Sequence, residues 1–175
     1  MDHARNDVTP VEGLDVQSGL LLAMLDMATA EWREEMGAVP DEVVCRQSYP
    51  RGQSIGALIL HMATVESAWI TGVAAGRERS EEELKTLLSR EIDPDGPEWP
   101  APPAQPLSWF LAQHDAVRAR TRQIVAELQD PERLGYSAHR PGREFTLRWL
   151  LAHVILHEAY HGGQAVLLAI QHGAG

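Results

Sequence analysis

Apolar side chains recur at helical spacing in four long stretches of the chain. In the first stretch they follow one another at intervals of four, three and four positions: Leu21, Leu25, Ala28 and Trp32. This is the period of an amphipathic helix, and comparable patterns cover residues 54–72, 107–129 and 146–171. Alternating, strand-like patterns are nearly absent. We therefore predict an all-α protein whose four long helices form a four-helix bundle.

Capping signals predict where these helices begin and end. Thr9 opens a capping box at the start of the first helix, although Gly13 is a poor helix former and favours a start nearer Asp15. Ser54 is expected to cap the second helix. A further capping box at Ser80 predicts a short accessory helix, ending near Arg90, between the second and third long helices.

The length of 175 residues favours one domain, residues 1–175, which buries roughly 70% of the surface that the unfolded chain exposes. Six of the eleven prolines lie in residues 91–106. We interpret that segment as an ordered loop, because neither flanking part has enough helices to fold alone.

Composition restricts the partners and the compartment. Fifteen basic and 25 acidic residues give a net charge of −10, which disfavours nucleic-acid binding. The single cysteine, Cys45, excludes an internal disulfide framework, so a cytoplasmic protein is expected. We expect no membrane span, since no stretch approaches about 18 apolar residues without a charge, and the first ten residues lack the apolar core of a signal peptide.

Histidines supply the candidate chemistry. His153, His157 and His161 recur every four residues on the last helix, so they form one stripe beside apolar residues. Stacked, buried imidazoles cannot all satisfy one another, whereas a divalent cation would accept their lone pairs. His61 lies at the edge of the apolar face of the second helix, where it can point at a facing helix. These residues predict a metal site between two helices.

Residues 157–161 also match the H-E-x-x-H signature of zinc proteases. Those enzymes take a third ligand from further along the chain. Here Gln164 and Leu167 stand at the positions of the glycine and the third histidine, and no acidic residue follows Glu158. The ligand count therefore excludes the protease interpretation.

Two segments resemble the DinB-like superfamily. One runs from Ser54 to His61, with Glu66 and Trp69 after it, and the other runs from His157 to Gln164. The resemblance implies a damage-inducible type of four-helix bundle, commonly homodimeric and associated with stress responses. It also implies a metal site at the positions of three histidines: His61, His157 and His161. Members include bacillithiol and mycothiol S-transferases and maleylpyruvate isomerase.

Three imidazole ligands leave an open coordination position, which is typical of a catalytic site, and they suit zinc, nickel, iron and copper. Glu158 lies about 100° round the helix from His157 and is a candidate general base. Arg140, Arg143 and Arg148 are candidates for contacts with the carboxylates of a thiol cofactor.

We therefore expect a metal-dependent thiol S-transferase that acts on small electrophiles, with bacillithiol or mycothiol as the thiol. One alternative is a hydrolase that uses metal-bound hydroxide. Another is a non-catalytic dimeric protein that binds or senses through its metal, which a fourth ligand from His114 or His153 would favour.

Overall fold

The computed structural model describes residues 6–94 and 96–173, and it is mostly helical, with 58% helix and 4% strand. The α-helices, which we number in chain order, are α1 (Val16–Met36), α2 (Asp41–Val44), α3 (Ile55–Ser67), α4 (Glu81–Thr86), α5 (Leu107–Leu128) and α6 (Leu147–Gln171). A π-helical segment, Ala68–Ala74, continues α3, and two strands, β1 (Leu134–Tyr136) and β2 (Glu144–Thr146), precede α6. The prediction of a mostly helical fold is confirmed.

The capping predictions are confirmed at α3 and α4, and at α1 the later of the two expected starts is correct. The start at Thr9 is wrong: Gly13 has a φ of +82°, which a right-handed helix cannot accommodate. Helix α1 instead begins after Asp15, whose carboxylate accepts hydrogen bonds from the backbone of Gln17 at 2.9 Å and Ser18 at 3.3 Å. The hydroxyls of Ser54 and Ser80 cap α3 and α4 as expected.

Three short elements were not predicted, and one predicted end is wrong. The accessory helix α4 ends at Thr86 rather than near Arg90. Helix α2 is only four residues long, and β1 and β2 have three residues each. The strands pair antiparallel, with Gly135 opposite Phe145, in the segment between α5 and α6, where the apolar pattern predicts no helix. Elements this short carry too little periodicity for a pattern to reveal them.

Side-chain contacts fix the directions of the four long helices. Gln17 bonds to Arg148 and Trp32 contacts Gly162, so α1 and α6 run parallel. Helix α3 is antiparallel to α6, because its start meets the later part of α6 and its end meets the earlier part. Helix α5 is parallel to α3, with Phe110 against Gly56 and Arg118 against Glu66.

A layer of buried polar side chains crosses the middle of these helices and separates two apolar cores. One core contains the start of α3 and the end of α6, and the other contains the start of α6 and the π-helical segment. The polar layer between them includes members from all four long helices: Thr29, His61, Glu66, His114, Arg118, Glu158 and His161. This layer positions the groups that could perform chemistry.

Residues Ile55–Ala74 form the one helical stretch in the described part of the chain that is long and apolar enough to cross a membrane. It contains the charged residue Glu66, so it does not contradict the expectation that no stretch approaches about 18 apolar residues without a charge. In addition, 72% of its most apolar window is buried inside the protein. The stretch therefore has the burial of a core helix.

The contact between α1 and α6 yields a test with an internal control. A Cβ added at Gly162 would lie 2.6 Å from the Trp32 ring and 2.8 Å from Trp32 Cβ, whereas one at Gly163 would meet nothing within 4 Å. We expect Gly162→Ala to lower the free energy of unfolding by about 1–3 kcal/mol through overpacking. Gly163→Ala should raise it by about 0.5–1 kcal/mol, since alanine is the better helix former. Urea denaturation of the metal-free proteins measures both, and equal effects would contradict this packing.

Candidate metal centre

Three histidines from two helices converge at the edge of the polar layer. His61 comes from α3, and His157 and His161 come from successive turns of α6. One nitrogen atom from each ring lies within 4.8 Å of the other two, and the Nε2 atoms of His61 and His157 are 3.1 Å apart. The spacing on α6 and the apolar face of α3 account for this convergence.

Hydrogen bonds outside the cluster fix the tautomers of two of the rings. Nδ1 of His61 lies 2.9 Å from the carbonyl oxygen of Ile92, and Nδ1 of His161 lies 2.7 Å from Oε1 of Gln164. Because these oxygens only accept, each Nδ1 must carry the proton and each Nε2 a lone pair. Gln53 donates to the same Gln164 oxygen at 3.3 Å and holds it in place. This is the arrangement by which proteins orient imidazole ligands.

Burial keeps the three rings neutral. Desolvation lowers the pKa of His61 and of His161, although the Ile92 carbonyl and Gln164, respectively, act in the opposite direction. The pKa of His157 falls to about 3, first through desolvation and then through the neighbouring histidines. Neutral imidazole is the form that binds metal ions. The donor set therefore fits a divalent cation.

The two histidines considered as a fourth ligand lie elsewhere. The ring of His153 stacks on Trp149, with 5.0 Å between centroids and 7° between planes. His114 is fully buried in the polar layer, where Nδ1 accepts from Arg33 at 2.9 Å and Nε2 donates to Glu158 at 3.1 Å. Among the described residues, only three histidines share this cluster.

A pocket of about 370 Å³ opens onto the histidine cluster. His61 and His157 form its floor, and its walls include Trp69, Asp93 and His153. Trp69 and Asp93 were not predicted as site residues. Trp69 was named only as part of the motif after His61, and its position two turns after His61 was the available signal. Asp93 lies in the proline-rich segment, whose path no periodicity predicts.

The three candidate arginines do not act together. Arg140 lines the pocket, with its guanidinium carbon 5.7 Å from the centroid of the Trp69 ring. Arg143 lies instead beside Phe145 and Trp149. Arg148 forms an ion pair with Glu132 and bonds to Gln17 at 3.3 Å. Only Arg140 is therefore placed to contact a ligand in this pocket.

Glu158 points into the polar layer and is 1% exposed. Oε1 accepts from Thr29 at 2.7 Å and from the Trp32 indole at 2.8 Å, and Oε2 accepts from His114 at 3.1 Å. Burial raises the pKa of this carboxyl, but His114, Arg118 and Thr29 outweigh burial and lower it to about 2. A weakly basic carboxylate with both oxygens occupied does not support the general-base role expected of Glu158.

Glu66, His114 and Glu158 also bring ligand atoms within 4.8 Å of one another. Arg118 already supplies a cation there, since its Nε and Nη2 atoms each lie 2.9 Å from a different oxygen of Glu66. Its Nη2 is 3.7 Å from Oε2 of Glu158. This second group is therefore an ion-pair network rather than a metal centre.

Comparison with known proteins identifies the family. A family model described as mycothiol-S-transferase matches residues 20–170, which include both histidine-bearing helices. No curated protein matches the chain. The matching family is one of the DinB-like superfamily, so the resemblance of the two motifs is confirmed. The chain therefore belongs to the mycothiol S-transferase family of the DinB-like superfamily.

Proposed function

We propose that this protein is a metal-dependent enzyme that transfers a low-molecular-weight thiol to a small electrophile. The metal would be held by His61, His157 and His161. The observation that carries the proposal is the convergence of three neutral imidazoles, two of them with an Nε2 lone pair fixed by an outer hydrogen bond. Two of the three rings, His61 and His157, line an open pocket.

The ligand set defines the chemistry that the metal would supply. A divalent cation held by three neutral imidazoles keeps an open coordination position and lowers the pKa of a thiol that binds there. Zinc, nickel and iron all suit such ligands. The protein's own contribution is to hold His61 and His161 in one tautomer and to shield both rings, since the Trp99 ring packs 5.1 Å from His61 and 6.0 Å from His161.

The pocket supports a catalytic role over a purely structural or sensory one. Three ligands from the chain leave a position open, whereas structural sites are closed by a fourth. Arg140 would donate hydrogen bonds to the polar part of the thiol while Trp69 contacts its apolar part. The family's description favours mycothiol, with bacillithiol as the alternative thiol. A hydrolase at the same centre is the remaining enzyme alternative.

The domain organisation and the cellular compartment are also proposals. We infer that residues 1–175 form one domain, a four-helix bundle with α4 as the accessory helix. The pairing of α1 with α6 and of α3 with both α5 and α6 supports this inference. We also propose a cytoplasmic protein that acts in stress responses, consistent with its single half-buried cysteine, Cys45.

We propose further that a second copy of this chain covers the outer face of α6. Every exposed residue of α6 between positions 149 and 170 is uncharged, and most are large and apolar: Trp149, Leu156, Tyr160, Leu167 and Ile170. With Met24 and Met27 of α1, we estimate that these side chains expose on the order of 700 Å², close to the ~800 Å² that each partner contributes to a standard interface. An apolar stripe can pair with its own copy across a two-fold axis.

The metal assignment predicts different outcomes for two histidines of α6. We expect His161→Ala to lower the affinity for zinc or nickel more than about 100-fold, since changes outside the ligands alone cost about 10–100-fold. The matched variant His153→Ala, two steps of four residues away on the same histidine stripe, should keep stoichiometric metal, because its ring stacks on Trp149. Elemental analysis and competition with a chromophoric chelator measure both. Metal retained by His161→Ala would contradict the assignment.

The transferase proposal predicts that the purified protein consumes a small electrophile only with a thiol and only with metal. Consumption of the electrophile is measured with mycothiol, bacillithiol or glutathione as the thiol, before and after a chelator has completely removed the metal from the protein. Arg140→Ala should raise the KM for the thiol, whereas Arg143→Ala should not, since Arg143 lies outside the pocket. Turnover that survives metal removal would refute metal dependence, and thiol-independent ester hydrolysis would favour the hydrolase.

The dimer proposal predicts that one charged substitution on the outer face of α6 halves the molar mass in solution. Leu156 is 70% exposed in the middle of the α6 stripe, and Leu156→Glu should give a monomer in multi-angle light scattering. Leu134→Glu places the same charge at an exposed leucine on β1 and should leave the dimer intact. A monomeric wild-type protein, or dimers from both variants, would contradict the proposed interface.

A further inference from the structure

The apolar pattern of α6 does not define which of its faces points inward. The helix buries Leu150, Leu151 and Val154, but it also exposes Leu156 and Leu167. A helix that is apolar on most sides can rotate about its axis with little change in buried apolar area. A different interaction must therefore fix its rotation.

Small rotations matter for a metal ligand. A side-chain atom lies about 5–6 Å from the helix axis, so a rotation of 20° moves it by about 2 Å. Metal–nitrogen distances are held to within about 0.2 Å. His157 and His161 can thus share a cation with His61 only if the rotation of α6 is narrowly defined.

Glu158 is the residue of α6 with the interactions to define that rotation. It is the neighbour of His157 and points about 100° away from it round the helix. One oxygen of its carboxylate accepts hydrogen bonds from Thr29 and Trp32 of α1, and the other accepts a hydrogen bond from His114 of α5. Three donors from two helices therefore hold this one side chain of α6.

The donor from α5, His114, cannot adapt to a different partner. Arg33 donates to Nδ1 of His114 at 2.9 Å, so the proton of that ring must lie on Nε2, facing Glu158. Arg33 is fixed in turn by Asp115 at 2.8 Å. His114 therefore requires a hydrogen-bond acceptor at position 158. If an amide NH2 group faced His114 instead, two donors would face each other and no hydrogen bond could form.

We propose that Glu158 is a positioning residue for the metal centre, which sets the rotation of α6 through its bonds to α1 and α5 so that His157 and His161 face His61. This inference rests on the proposed metal site and gives Glu158 a role other than proton transfer. Buried polar groups that select one packing arrangement among several apolar alternatives are known from other helical assemblies.

The test compares two equally conservative changes of buried carboxylates. Glu158→Gln replaces one of two acceptor oxygens by an amide NH2 group, which must face the N–H group of either His114 or Trp32. Glu66→Gln changes a carboxylate that bonds to Arg118 and holds no residue of α6. Cobalt(II) is the probe, because its visible absorption reports coordination geometry. Affinity is measured by titration and by competition with zinc, and far-UV circular dichroism checks that each variant is folded.

We expect Glu158→Gln to lower the cobalt affinity about 10–100-fold and to alter its absorption, with helix content unchanged. Glu66→Gln should stay within about threefold of wild type and keep the wild-type absorption, even if it unfolds at a lower temperature. Equal losses in both variants would overturn the inference, since loss of buried charge would then explain them. Unchanged binding by Glu158→Gln would overturn it as well.

A second variant decides the question if Glu158→Gln does not fold. Thr29→Val removes the hydroxyl that donates to Glu158 at 2.7 Å while keeping the shape of the side chain and the charge of the carboxylate. It should also weaken cobalt binding and shift the absorption, and wild-type behaviour would overturn the inference. Failure of the wild-type protein to bind cobalt or zinc would instead refute the proposed metal site itself.

Discussion

The buried carboxylate of Glu158 and its donors are the interaction on which the site depends. Taking a carboxylate out of water costs several kcal/mol unless hydrogen bonds replace its hydration. Thr29, Trp32 and His114 provide those bonds, the first two from α1 and the third from α5. Helices α1, α5 and α6 are therefore held in a common register at the level where the histidines converge.

The polar layer is not explained by stability alone. Glu66 and Glu158 share one nearby guanidinium, Arg118, and replacing buried ion pairs by apolar side chains is often neutral or stabilises a protein by about 1–4 kcal/mol. The two apolar cores on either side already hold the helices together. What the layer adds is a single arrangement of helices, and a metal centre built from two helices requires such an arrangement.

The histidine positions were predictable because a helix of known period defines which side chains share a face. Spacing placed His153, His157 and His161 on one stripe, and the family resemblance distinguished the last two as ligands. The apolar neighbours of His61 placed it on a facing helix. The orientation of Glu158 was not predictable, because a residue 100° from a ligand can face either the pocket or the core, and its donors lie far away in sequence. The packing of Trp99 against the histidines was not predictable either, since it depends on the path of a proline-rich segment without periodicity.

The change from α-helix to π-helix after α3 explains why Trp69 and Val73 both line the pocket. In an α-helix each step of four residues drifts by about 40°, so residues at this spacing after His61 would turn progressively away from the cluster. From Ala68 the chain is π-helical, and the backbone N–H of Ala75 bonds to the carbonyl of Ile70 at 3.0 Å, five residues earlier. With about 4.4 residues per turn, a step of four falls short of a full turn and reverses the drift. Trp69 and Val73 consequently line the same pocket as His61, while Ile70 and Ala74 remain in the apolar core.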